Sequence, residues 1–142
     1  MVTPTAGPVL FPWSDAYSLQ IGIIDSQHKV LIDLINDLHR AMMAGSGKEQ
    51  LGTTLAGLIK YTKSHFKAEE GILLSNQYPD FSNHKAEHER FIQTIQEFQG
   101  RFERNEAALT IEAMDFLQEW LRKHIMGVDK KYVPHLHARG LR

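Results

Sequence analysis

The chain has 142 residues, with 16 Lys and Arg against 17 Asp and Glu, 42% apolar and 23% charged. That is the composition of one globular domain able to bury its own core, and its net charge of −1 gives nucleic acid or an anionic membrane no electrostatic hold. Cysteine is absent, which excludes disulfides, thiolate metal sites and a cysteine nucleophile; no run approaches transmembrane length, and the start, MVTPTAGPVLFPW, lacks the basic residues and long apolar run of a secretion signal, so a cytoplasmic protein without membrane insertion is expected.

The prolines confine the breaks. Pro4, Pro8 and Pro12 mark an N-terminal arm over 1–12, Pro79 a central turn, and Pro134 the start of a tail over 134–142. The stretch 13–133 is left free for long helices. GSG at 45–47 divides its first half, and RNEAA at 104–108, followed by Thr110 as an N-cap, divides the second. The four resulting segments each carry a helical stripe. The first reads Ile24, His28, Leu31, Ile35, Leu38 and Met42; the second Leu51, Leu55, Leu58, Thr62, His65, Glu69 and Ile72. The third reads Phe81, His84, His88, Phe91, Ile95, Phe98 and Phe102; the fourth Thr110, Met114, Leu117, Leu121, His124 and Val128. Short connections between such stripes predict an all-α fold, a single domain built as an antiparallel up-down-up-down four-helix bundle with an N-terminal arm.

Histidine interrupts every stripe at one level. His28 lies early in the first helix, His65 and Glu69 late in the second, His84 and His88 early in the third, and His124 late in the fourth. Antiparallel order brings all of them to the same end of the bundle. One histidine on an apolar stripe is ordinarily a hydrogen-bonded core residue, but agreement among four helices needs another cause. Buried without partners, these groups would cost several kcal/mol, whereas a metal turns neutral imidazole and carboxylate into ligands. His39 shares the phase of His28 three turns away and reads as structural or surface; His135 and His137 fall in the tail and read as solvated.

Five imidazoles and Glu69 exceed the four ligands of a structural zinc ion. A second carboxylate, Asp129, follows His124 by five residues, which on a regular helix would swing it roughly 140° off the face. Gly127 lies between them, so the helix is expected to end or distort there and turn Asp129 inward. Two carboxylates bridging two ions, with three histidines on one ion and two on the other and an oxygen bridge between, leave a single octahedral position open. Nitrogen and oxygen donors of this kind suit iron, manganese or zinc alike.

QHKVLIDLIN, YTKSHFKAEE, YPDFSNHKAEHERF and LQEWLRKHIMGVDKKY, in this order over about 13–133, resemble the hemerythrin family and in particular the single-domain bacterial hemerythrins. Myohemerythrin, a member, has the up-down-up-down bundle. The resemblance implies a non-haem di-iron centre, oxo- or hydroxo-bridged, that binds dioxygen reversibly. It places His84, His88 and His124 on one iron and His28 and His65 on the other, with Glu69 and Asp129 bridging. Glu70, the second acid of the EE pair, matches the motif without being a ligand and either supports the site from outside or is solvated.

Dioxygen would enter the open position on the iron with fewer histidines, and bound oxygen survives only where water is excluded. Leu31, Phe66, Trp120, Leu121 and Ile125 are the expected walls of that oxygen pocket. Ser, Thr and Tyr are missing from this set, which fits binding rather than oxygen activation, so the chain is not expected to be an enzyme. The implied partners are dioxygen and an oxygen-consuming recipient protein. An oxygen- or redox-sensing domain is the alternative, disfavoured because nothing follows HARGLR that could serve as an output domain. A di-iron oxidase or peroxidase is disfavoured more strongly, because oxidative bundles rely on four carboxylates and two histidines.

Overall fold

The computed structural model describes residues 13–106 and 109–142; the arm over 1–12 lies outside the described residues. A short 3-10 turn, Asp15–Tyr17, leads into α1 (Gly22–Met43), α2 (Gly47–Ser75), α3 (Phe81–Glu103) and α4 (Leu109–Lys123). No strand occurs among the described residues. Each helix packs on the next, and α4 closes against α1, the expected four-helix bundle.

The turns that set the antiparallel order share one device. After α1, Gly45 takes φ +83°, its N–H bonds to Met42 O, and the next N–H reaches Ala41 O. This is the Schellman closure, in which a left-handed residue lets the chain leave the helix with its last carbonyls satisfied. Gln77 (φ +52°) after α2 and Asn105 (φ +56°) after α3 repeat it without glycine. The sequence signals at 45–47 and 104–108 therefore mark real helix ends. Thr110, however, lies inside α4, which already begins at Leu109, and is not its N-cap.

Burial follows the stripes. One apolar cluster, with Leu31, Ile35, Leu55, Leu58, Phe91, Ile95, Leu117 and Leu121 among its members, runs through the middle of the bundle. A second, of Leu19, Ile21, Ile24, Leu73, Tyr132 and Leu136, caps one end. Every inward histidine of the stripes, with Glu69 and Asp129, falls in sequence between residues of the two clusters. A polar layer is thus sandwiched between two dry ones.

The chain past Pro134 departs from expectation. It is no solvated tail: α4 continues through a π-helical turn (His124–Val128) and a 3-10 turn (Asp129–Tyr132) into α5, Val133–Ala138. Leu136 is fully buried in the end cluster. His135 is half-buried and bonds through Nε2 to Asn76 O at 2.6 Å, and His137 bonds to Gln20 O at 3.1 Å. The reason is hydrophobic: the end cluster exists only if this segment folds back over the polar layer. His39 is half-buried, far from that layer.

Candidate metal centre

His28, His65, Glu69, His84, His88, His124 and Asp129 are all buried to within 2% exposure, and their donor atoms meet in one volume. Regular helix supplies five of the seven positions: α1 gives His28, α2 gives His65 and Glu69 one turn apart, α3 gives His84 and His88 one turn apart. The last helix needs a distortion. In the π-helical turn the Asp129 N–H bonds to His124 O, five residues back. The wider turn carries Asp129 round to the face that a regular helix would have turned away, as π-turns at functional sites do. Gly127 contributes no unusual backbone conformation to it: its φ is not positive, and an added Cβ would meet nothing within 4 Å.

The carboxylates divide their oxygens between two groups of histidines. Glu69 Oε1 lies 2.7 Å from His84 Nε2 and 3.0 Å from His88 Nε2, while Oε2 lies 3.8 Å from both His28 and His65 Nε2. Asp129 Oδ1 lies 3.2 Å from His84 and 3.1 Å from His124, while Oδ2 lies 3.1 Å from His28. One constellation is therefore Glu69, His84, His88, His124 and Asp129; the other is His28, His65 and Glu69, with donor atoms mutually within 4.8 Å in each. Asp129 reaches the second constellation through His28 alone.

Apart from His84 Nε2 to Glu69 Oε1 at 2.7 Å, which is a hydrogen bond, these contacts do not pair off as hydrogen bonds. Nε2 of His28, His65, His88 and His124 and both oxygens of Asp129 are buried without a hydrogen-bond partner. Orphaned donors and acceptors at this density are costly unless something else binds them. Lone pairs converging on shared points, rather than on one another, fit a pair of cations. Nitrogen and carboxylate oxygen without sulfur is a donor set that iron accepts.

The outward ring nitrogens are held by residues that the stripes do not reveal. His65 Nδ1–H donates to Gln27 Oε1 at 2.6 Å, and His88 Nδ1–H donates to Glu70 Oε2 at 2.7 Å. Each bond fixes the tautomer that leaves Nε2 free to face inward. Tyr132 O–H donates to Glu69 Oε2 at 2.9 Å. Gln27 sits beside His28 and off its stripe, while Tyr132 follows Asp129 by three and could have been found by extending the helix past the distortion. Glu70 supports the site from outside.

Without metal, electrostatics keeps the layer near neutral. Burial would raise the Glu69 carboxyl, but His28, His84 and His88 hold it well below the usual range; Asp129 is likewise held low against burial and the Glu69 charge by His124 and His28. Burial would lower His28 and His84, but the Asp129 and Glu69 carboxylates push them up to about 9 and about 10. His65, for which burial dominates, falls to about 4.

Among the expected oxygen-pocket residues, Leu31, Phe66, Leu121 and Ile125 are buried and Trp120 is half-buried. The two aromatics press most closely on the three-histidine side: Phe66 stacks on His88 at 3.8 Å between ring centres, and Trp120 on His124 at 4.6 Å. Phe66 is also 5.6 Å from the His65 ring.

A histidine-rich, carboxylate-bridged pair of cation sites inside a four-helix bundle defines a class of dinuclear metal-binding bundles. Residues 19–136 match the family described as the hemerythrin HHE cation binding domain. The chain is 36% identical over 130 residues to a bacteriohemerythrin of Methylococcus capsulatus, covering 91% of this chain and 98% of that one. It is 30% identical to a myohemerythrin of Theromyzon tessulatum over 88% of this chain and 92% of that protein. A crystal structure of wild-type hemerythrin superimposes with a TM-score of 0.79 at 36% identity, covering 89% of this chain and 98% of that one. The chain belongs to the hemerythrin family.

Proposed function

We propose that this protein binds dioxygen reversibly at a non-haem di-iron centre. His84, His88 and His124 would hold one iron and His28 and His65 the other, with Glu69 and Asp129 shared between the two groups. The observation that carries this reading is the division of the carboxylate oxygens: each acid offers one oxygen to the three-histidine side and one to the side of His28. When bound, the iron pair supplies the open coordination position and the electrons that reversible oxygen binding requires.

The chain's own residues do the rest. Gln27 and Glu70 orient two of the imidazoles through their Nδ1 protons, so that lone pairs rather than N–H groups face the metals. Tyr132 keeps its proton on the phenol oxygen, where burial holds it well above the usual range, and directs it at Glu69. Leu31, Phe66, Leu121 and Ile125 would wall the open position, Phe66 lying 5.6 Å from the His65 ring, while Trp120 shields the three-histidine side against His124; together they keep bulk water out.

Binding rather than turnover is favoured by the hydroxyls. Thr62 and Tyr132 are both fully buried, but Thr62 donates to Leu58 O at 2.6 Å and Tyr132 to Glu69, so neither has a proton free to deliver. The role that follows is a cytoplasmic oxygen carrier or store with an oxygen-consuming protein as recipient. No helix among the described residues is long and apolar enough to cross a membrane.

The test is anaerobic loading with ferrous iron, then cycles of air and argon. One iron per ligand group, two per chain, and a visible absorption band that comes and goes with oxygen are expected. Protein that takes up no iron, or a band that does not reverse, would refute the reading.

A further inference from the structure

We propose that the groove between α2 and α3 is the docking site of an acidic one-electron donor protein, which re-reduces the iron pair through Glu70 and His88. The inference rests on the di-iron reading and adds a partner to it. An oxygen-binding iron centre that has passed to the ferric state needs two electrons to work again, and its metals lie in a buried layer. What matters is where a ligand comes nearest to the surface.

The groove encloses about 200 Å³, and His88 reaches into its lining. Glu70, whose side chain keeps 20% exposure, forms a 2.7 Å bridge from that surface to His88 Nδ1. The opposite ring nitrogen, Nε2, faces inward, 3.0 Å from Glu69 Oε1, among the donors that would hold the metal. A single hydrogen bond and a single imidazole thus separate the solvent-facing carboxylate from the three-histidine iron, and Phe66 stacks flat on the same ring.

Charge identifies the visitor. Lys63, Lys67 and Lys85 ring the groove, all exposed, and Lys60 extends the row one turn along α2. Among the described residues the one lysine in an ion pair is Lys123, bonded to Glu119 at 2.7 Å, so the three groove lysines are uncommitted. The acids beside them are the exposed Glu89 and Glu70, whose carboxylate is turned onto His88. On a chain of net charge −1 this is a local positive field.

The other cleft that touches a ligand gives the contrast. Between α3 and α4, Trp120 lies on His124, the cleft's lysine is Lys123, already paired, and Glu87 and Glu119 line the rest. An acidic partner would be steered to the α2/α3 groove and away from this one. Electron-transfer encounters use small, charged, weak interfaces, and complementary charge there sets the association rate more than the affinity.

The chemistry balances with the donor as co-reactant. Two encounters each pass one electron from the donor to one ferric ion, the donor being oxidised by one electron each time. Where the bridge is an oxide, one solvent proton accompanies the pair and makes it hydroxide.

The test uses the full chain loaded with iron, oxidised to the ferric form and assayed for iron first. Reduction is followed by stopped flow with reduced plant-type ferredoxin, an acidic iron–sulfur protein, and separately with the methyl viologen radical, a small cation. At about 10 mM ionic strength, where the screening length is about 30 Å, the ferredoxin rate should be fast and should fall as salt is added. The triple variant Lys63→Glu, Lys67→Glu, Lys85→Glu should slow ferredoxin about tenfold or more, within the range expected of steering, without slowing viologen. Glu70→Gln should keep the salt dependence but lower the rate at saturating ferredoxin.

A salt-independent ferredoxin rate, a triple variant that matches wild type, or one slowed equally toward both donors overturns the docking site. An unchanged saturating rate in Glu70→Gln overturns the route. A chain that binds no iron fails at the first assay, which marks failure of the di-iron reading rather than of the groove.

Discussion

At the scale of single residues, the site separates groups that bind from groups that shield, and the two should fail differently. Leu121 is fully buried, one turn before His124. Leu121→Ala opens a cavity at a cost of about 2–5 kcal/mol in stability, yet removes no donor atom. Iron content should therefore hold while the oxygen-bound form decays to ferric severalfold faster, followed by the visible band under air. An unchanged decay would remove Leu121 from the pocket. Tyr132→Phe tests a supporting group. It strips one hydrogen bond from Glu69 Oε2, and a buried acceptor left unsatisfied costs about 1–3 kcal/mol. Urea unfolding of the metal-free protein should show that loss, and the iron-loaded protein less of it, because metal then holds the same oxygen. Equal losses in both forms would mean that Glu69 Oε2 is not a ligand. Legibility divides along the same line. Residues that converge from the inner faces were readable from sequence, because four stripes broke at one level. Gln27 and Tyr132 were not, because a supporting side chain needs only to reach one atom from off the stripe.

Among the elements, the last helix carries the one departure from regular geometry that the site requires. Helix count, order and register follow from the stripes, and Gly45 announces its turn; Gln77 and Asn105 do the same work in the left-handed region with residues that could equally sit in a helix. Sequence also implied a distortion between His124 and Asp129 without revealing its kind. Spacing alone cannot distinguish a helix that stops from one that widens, and the packing of Tyr132 and Leu136 in the end cluster decides for widening. A helix that stopped would leave both without a core. Two changes at one residue separate glycine chemistry from turn geometry. Gly127→Ala meets nothing within 4 Å and carries no positive φ, so iron content and melting temperature should stay near wild type. Inserting one alanine after Gly127 should advance the carboxylate of Asp129 by a further residue, rotate it by about 100°, and lower bound iron below two per chain. Full iron occupancy in the insertion variant would show that Asp129 is dispensable.

For the whole molecule, the polar layer makes folding and metal binding one problem, and pH exposes the link. Metal-free, protonated His28 and His84 offset ionised Glu69 and Asp129, the two histidines being pushed up to about 9 and about 10 by those carboxylates against the pull of burial. A histidine raised above its ordinary 6.5 stabilises the fold fully below that pH, and the contribution is lost as pH rises through the folded value. His65 works in the opposite sense: burial lowers it to about 4, so its contribution is present above 6.5 and fades as pH falls toward 4. The metal-free protein should thus be most stable near pH 6.5, weakening as pH falls toward 4 and as it rises from 6.5 through about 9 and about 10. Iron removes the alkaline limb by taking the place of the two protons. Loading at pH 7 should release about two protons per chain, one each from His28 and His84, and apparent affinity should climb as pH rises toward 9. At a thousandfold excess of free metal over the dissociation constant, linkage adds about 4 kcal/mol to stability. Melting curves of both forms across this range, with proton release read in unbuffered solution, decide the matter. If no protons are released, or if both forms weaken alike in alkali, these histidines do not exchange protons for metal, and the layer is a buried ion network instead.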